Sequence, residues 1–242
     1  TASQRICYFI KNGIFHASIL RQKEAFPGVM HLFIFWGFLI LAIGTALVAF
    51  EDDFFKPLFG VTYLHGNFYL IFSFFLDLAG LVAIVGILLA MYRRYVQKPE
   101  NQTYDTAPGN AIALLLLLVI FVLGFCVEGL RIARTQPEWA AWSPVGWVFS
   151  KIFGGLAEPN QVLLHRLLWR SHLYFVLGFI AFIPYSRMLH ILTGPANIYL
   201  RSLAPKGELP PIRNFETAET FGVSKLEELT WKQLLDMDAC TR

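Results

Sequence analysis

Charged residues are scarce in this chain: Asp, Glu, Lys and Arg make up 15% of its 242 residues, against about 25% in soluble globular domains. Whole stretches carry none, namely 25–50, 57–92 apart from Asp77, and 106–127. Each is long enough to cross hydrocarbon. With 56% hydrophobic and 16% aromatic residues, the composition is that of a membrane protein. Cysteine is sparse too. Cys7, Cys126 and Cys240 show no pairing pattern and no C-x-x-C-H occurs, so neither a disulfide framework nor covalent c-type haem is supported. No secretory signal pattern and no internal repeat is found, and nothing points to a nucleic-acid partner.

What is present organises into about four spans, and the fold class expected is an all-α transmembrane helix bundle. The first covers about 28–50, the second 66–92, and the third follows the polar turn 99–110 and closes at Glu128. The fourth, 164–191, is the weakest by hydropathy, being free of charge only from Ser171 to Ser186. Arg5, Lys11, Arg21 and Lys23 precede the first span, Arg93, Arg94 and Lys98 follow the second, and Arg201, Lys206 and Arg213 follow the fourth. The loop after the first span sets Lys56 beside Glu51, Asp52 and Asp53. The positive-inside rule therefore places both ends in the cytoplasm, across a prokaryotic cytoplasmic (inner) membrane. Residues 1–27 read as an interfacial approach segment, 28–200 as the membrane domain and 201–242 as a cytoplasmic linker, with a capping-box start at Ser224 and Glu227. Between the third and fourth spans, 136–160 carries Trp139, Trp142, Trp147, Pro137, Pro144 and Pro159, a headgroup-layer composition containing a short amphipathic helix. The chain begins at Thr1 and stops at Arg242, and reads as a segment of a longer polypeptide.

Four of the six histidines fall at the edges of spans: His31, His65, His172 and His190. On one continuous helix, His172 and His190 are five whole turns apart, sharing a face about 27 Å apart along the axis. His165, seven residues before His172, returns to nearly the same face. An imidazole at a bilayer edge needs a partner, and neutral histidines from different helices suit the axial positions of haem b. Topology pairs His31 with His190 on the inner side and His65 with His172, or His165, on the outer side. Two haems would then form a ladder for electrons. Asp77, near the midplane, reads equally as a hydrogen-bonded packing residue or as a proton or haem-tuning group. Glu128 and Arg131, spaced i, i+3, read as an ion pair that could also shape a quinone pocket.

The stretch S-H-L-Y-F-V-L-G-F-I-A-F-I-P-Y-S-R-M-L-H-I, and within it the P-[FY]-S-R-x-x-H-I pattern at Pro184 to Ile191, resembles the last transmembrane helix of the cytochrome b (gamma) subunit of respiratory nitrate reductase. Over the whole chain the resemblance is closest to the membrane domain of heterodisulfide-reductase-like iron–sulfur fusion proteins. It is carried by H-L-F-I-F-W-G-F at His31 to Phe38, G-N-F-Y-L-I at Gly66 to Ile71, W-S-P-V-G at Trp142 to Gly146, and the tail ending D-M-D-A-C-T-R. The resemblance implies haem-ligand roles for His31, His190 and His172, and makes Cys240 the first ligand of a 4Fe-4S cluster in the continuation of the chain. It also implies a fifth helix upstream of Thr1. One departure stands out: where the family's first ligand helix has its second histidine, this chain has Leu41. His65 or His165 is then left for the outer haem, and one or two haems stay open. The function expected is membrane electron transfer between quinone or menaquinone and iron–sulfur domains, in cis or in partner subunits. This makes the chain the cytochrome part of a quinone-linked oxidoreductase, with no catalytic side chain of its own. The alternative is a cofactor-free anchor or small proton-coupled transporter.

Overall fold

A computed structural model describes residues 1–20, 25–98, 109–203, 222–223 and 225–239. Cys240 and Ser224, singled out above, lie outside the described residues. Among those described there is no strand. The α-helices are α1 (Ala2–Phe9), α2 (Ala17–Leu20), α3 (Ala25–Ala49), α4 (Lys56–Phe59), α5 (Gly66–Tyr92), α6 (Gly109–Thr135), α7 (Pro144–Phe153), α8 (Glu158–Phe182), α9 (His190–Tyr199) and α10 (Trp231–Asp238). Four helical stretches are long and apolar enough to cross a membrane: Ala25–Phe59, Gly66–Gln97, Ala111–Thr135 and Glu158–Tyr185. Their apolar side chains point outward as well as inward. Phe75 is 56% exposed, Leu115 55% and Leu177 53%, which suits lipid rather than water as the surrounding solvent.

The chain divides into two compact units, Thr1–Gln22 with Ile183–Arg242, and Lys23–Phe182. In the first, α1 packs on α9. Phe9 meets Tyr199 edge to face, and Arg5 donates to the Tyr199 and Arg201 carbonyls at 3.0 and 2.6 Å. The Tyr199 carbonyl is one that the end of α9 leaves without an intrahelical partner, and Arg201 follows just beyond the helix. The Arg201 guanidinium lies 3.9 Å from the centre of the Tyr8 ring. On α10, Thr230 and Gln233 form a capping box, and Lys232 bridges to Asn197 and Asp236.

The second unit holds the α3 to α8 bundle. Helices α3 and α5 meet along a seam of small residues, as lipid-embedded helices do when no hydrophobic force drives them together. A Cβ on Gly37 would lie 2.6 Å from the Ala83 Cβ and 2.7 Å from the Ala79 carbonyl oxygen, and one on Gly86 would run into Phe33 and Ile34. Gly37→Leu is therefore expected to push the two helices apart at a cost of about 1–3 kcal/mol. A thermal unfolding series of the detergent-solubilised protein should show the loss, and an unchanged midpoint would mean that the seam is not tight.

The single fourth helix expected over 164–191 is in fact two. Helix α8 ends at Phe182, short 3-10 turns cover Ile183–Tyr185 and Arg187–Leu189, and Ser186 between them is extended (φ −136°, ψ 171°) before α9 starts at His190. Pro184 is the cause, since it supplies no N–H and its ring crowds the preceding turn. Helical periodicity no longer relates His172 to His190.

Candidate functional site

His172 lies nearly three turns from the end of α8, half-buried, with its Nδ1 3.0 Å from the Ile120 carbonyl oxygen on α6. A carbonyl can only accept, so Nδ1 carries the proton and the Nε2 lone pair stays available. That is the state in which an imidazole ligates a metal while a backbone acceptor fixes its tautomer and ring plane. Gly124, one turn from Ile120, lies beside the ring: a Cβ there would sit in ordinary van der Waals contact, 3.5 Å from the His172 Cε1. The His190 Nδ1 donates to the Arg187 carbonyl at 2.7 Å. The His172 imidazole fits haem ligation in its tautomer and in the backbone acceptor that fixes it.

The register of the bundle then sorts the histidines of the second unit. Gly80 on α5 faces the Phe125 ring on α6, beside Gly124 and His172. On α3 the same level falls between Gly37, which meets Ala79 and Ala83, and Gly44, which meets the Leu76 side chain. Leu41 lies on α3 between these two contacts. His65 is exposed, in extended conformation as the N-cap of α5. It stands fifteen residues before Gly80, about 22 Å along the axis at 1.5 Å per residue. His65 therefore stands well along α5 from the level that Gly80 shares with Phe125 and Gly124. Glu51 explains why His65 stays in the loop. Its carboxylate accepts from the Tyr63 and Leu64 N–H groups at 2.6 and 2.5 Å, while the Tyr63 hydroxyl donates to the Leu47 carbonyl. Partial burial and the Glu51 charge raise the Tyr63 hydroxyl above the ordinary tyrosine range. His165 is two turns from His172 on the same helix, too far to share its iron, and it feels the charges of Arg134, Arg131 and Glu128. His31 is partly buried on α3. Because His31 and His190 belong to different units, their pairing rests on the sequence motif.

Around the C-terminal end of α6, sequence reasoning found a pair where the structure has a network. Arg131 donates from Nε and Nη2 to both Glu128 oxygens at 2.9 and 2.7 Å, and from Nη1 to the Tyr69 hydroxyl at 3.0 Å. Its guanidinium carbon lies 4.7 Å from the centre of the Trp139 ring, which in turn meets Tyr69 edge to face at 5.1 Å. Two-point binding of a carboxylate by a planar guanidinium stacked on an aromatic face is an arrangement Arg makes and Lys does not.

Helix α7 was missed as a structural partner of the spans. The Asp77 carboxylate accepts from the Val145 N–H at 2.6 Å and the Gly146 N–H at 3.0 Å, so a charged side chain in the middle of α5 caps the start of α7. At the other end, Gln161 on α8 donates from Nε2 to the Phe153 and Leu156 carbonyls at 3.2 and 3.1 Å. Asp77 and Gln161 are 5% and 7% exposed. The signal for the first contact was present in Ser143-Pro144, an N-cap and N1 pair that announces a helix start, together with a lone carboxylate in a span that must find donors. No group of three or more His, Cys, Asp or Glu among the described residues is placed to hold a metal ion without a prosthetic group.

Residues 30–204 match the family model described as nitrate reductase gamma subunit. The chain is 36% identical over 99% of its length to the EtfAB:quinone oxidoreductase of Syntrophomonas wolfei, covering 34% of that protein. It is 27% identical over 92% of its length to the "Probable iron-sulfur-binding oxidoreductase FadF" of Bacillus subtilis, covering 30% of it. Against the nitrate reductase gamma chain of Bacillus subtilis it is 28% identical over 51% of its length, covering 54% of that chain. The chain spans about a third of the length of the first two relatives. No solved structure matches it. A four-span bundle with this match over most of its length belongs to the nitrate reductase gamma subunit family.

Proposed function

We propose that this chain is the cytochrome b membrane part of a quinone-linked oxidoreductase, exchanging electrons between quinone or menaquinone in the bilayer and an iron–sulfur domain on the cytoplasmic side. The observation that carries the reading is His172. It is an imidazole inside a span, fixed by the Ile120 carbonyl with Nε2 left available, at a position that matches a haem-ligand histidine of the family motif. By the sequence motif His31 and His190 would hold an inner haem, and His172 would hold an outer one. Haem b held at these residues would supply one-electron redox chemistry, with its potential set by the axial imidazoles, their hydrogen bonds and the apolar walls. On the outer side Tyr69, Arg131, Glu128 and His165 offer donors and acceptors to a quinone head group. The quinone and iron–sulfur words in the relatives' names support both ends of this path, and Cys240 is placed as the first ligand of a 4Fe-4S cluster. Both ends of the segment are cytoplasmic in a prokaryotic inner membrane.

The competing transporter reading would need Asp77 to carry a proton or substrate. Both of its oxygens instead accept from backbone N–H groups at the start of α7, which gives Asp77 a structural role that needs no transported proton or substrate.

Two measurements on the purified full-length protein test the proposal. Addition of a quinol analogue without oxygen should reduce the b-type haem. Reduction by dithionite alone, with none by quinol, would refute the quinone side. His65→Ala should leave haem content unchanged, and a loss of haem would return His65 to the ligand set.

A further inference from the structure

Both ends of α7 are capped by buried side chains from spans that flank α6. Asp77 on α5 takes the N–H groups at its start, and Gln161 on α8 supplies donors to the carbonyls at its end. Between these fastenings the helix lies closely on α6. A Cβ on Gly129 would come 2.6 Å from the Phe149 Cβ, the Phe125 and Phe149 rings stack at 5.5 Å, and Ser150 is 6% exposed. The opposite face is outward and largely apolar, with Val148 56% and Ile152 68% exposed and the Lys151 ammonium lying over the Trp147 ring near the helix end. Asp77 is eleven residues into α5, about 16 Å from its start. A helix whose first turn reaches that depth does not rest on the headgroups. Buried helix ends in hydrocarbon are tolerated only when their backbone groups find partners, and here the two spans provide them.

We propose that α7 is an inserted strap, held inside the outer half of the bundle by Asp77 and Gln161, and that Asp77 is a positioning residue for the outer polar cluster. The linkage is direct. A Cβ on Gly146 would lie 2.7 Å from the Glu128 Cγ and 3.5 Å from the Asp77 Oδ1, so the start of α7 packs against the carboxylate that holds Arg131. With the strap in place, Glu128 and Arg131 are covered on that side and Tyr69 and Trp139 keep their contacts with Arg131. Released, α7 moves to the membrane surface and the cluster opens to water. The role assigned to the cluster in quinone binding rests on the function proposed above; the insertion of α7 does not.

The test uses the full-length protein in right-side-out membrane vesicles carrying Ser150→Cys. Labelling at position 150 by a membrane-impermeant maleimide is read by peptide mass spectrometry and normalised to the denatured protein. The single variant should label poorly. Adding Asp77→Ala should raise the labelling rate about tenfold or more, the population shift expected when hydrogen bonds to a charged acceptor are lost. Gln161→Ala should act in the same direction, and Asp77→Asn, which keeps one acceptor oxygen, should restore part of the protection. Equal labelling with and without Asp77 and Gln161 would overturn the strap. In parallel, Asp77→Ala should raise the KM for quinol while leaving the dithionite-reduced haem spectrum unchanged. Exposure of position 150 with an unchanged KM would overturn the positioning role. A wild-type protein without quinol activity would instead count against the proposed function, and labelling would still decide the strap.

Discussion

His190→Ala is expected to remove a b-type haem from the protein, and His31→Ala to remove the same one. The argument is chemical. A haem between two helices is held by its axial imidazoles, and an imidazole whose Nδ1 donates to a carbonyl, as His190 does to Arg187, is fixed in the tautomer that ligates. Replacing either ligand leaves a five-coordinate iron at best and a vacant pocket at worst. Losing only an outer-shell partner of a ligand costs about 10–100-fold in metal affinity, so losing the ligand itself should cost more. Haem per protein and the reduced-minus-oxidised spectrum check this, and the two variants should lose the same spectral component. If they lose different components, His31 and His190 do not share an iron. Electron delivery from quinol to the cytoplasmic side should fall with the haem, whereas His65→Ala, with its side chain about 22 Å from the level of His172, should change neither.

The second large effect is expected at Arg131. Arg131→Leu leaves Glu128 without the guanidinium that now binds both of its oxygens, takes the donor from the Tyr69 hydroxyl and removes the cation from the face of Trp139. Stranding one member of a buried pair costs about 3–5 kcal/mol. The side chains of Arg131 and Glu128 are 35% and 27% exposed, which lowers the expectation to about 2 kcal/mol. The double variant Glu128→Leu with Arg131→Leu should be less destabilised than Arg131→Leu alone, because no uncompensated charge remains. Unfolding midpoints of the three proteins in one detergent, with that of Glu128→Leu, give the cycle, and strict additivity would show that the pair is not coupled.

The spans were legible because a hydrocarbon solvent leaves a mark in one dimension: runs without charge, aromatic and basic ends, and wide gaps between turn residues. The family was legible from the Pro184 to Ile191 pattern for the same reason. Where the reading depended on geometry between elements, it fared differently. The whole-turn relation between His172 and His190 assumed an unbroken helix, and Pro184 with the extended Ser186 breaks it. The pairing of His65 with His172 rested on depth alone, because no local pattern fixes the level of the start of α5 against the middle of α8. Asp77 was recognisable as a carboxylate needing donors, but its donors are 68 and 69 residues away and no local pattern names them. Gln161 gave no signal, since an amide near the start of a span is ordinary until the end of α7 is seen beside it.

The central claim, that this segment is a cytochrome b, is tested most directly by a pyridine haemochrome assay on the purified full-length protein. The expected result is non-covalent b-type haem that is lost in part on replacing His172 and in part on replacing His190. Protein that is folded, inserted in the membrane and free of b-type haem would contradict it.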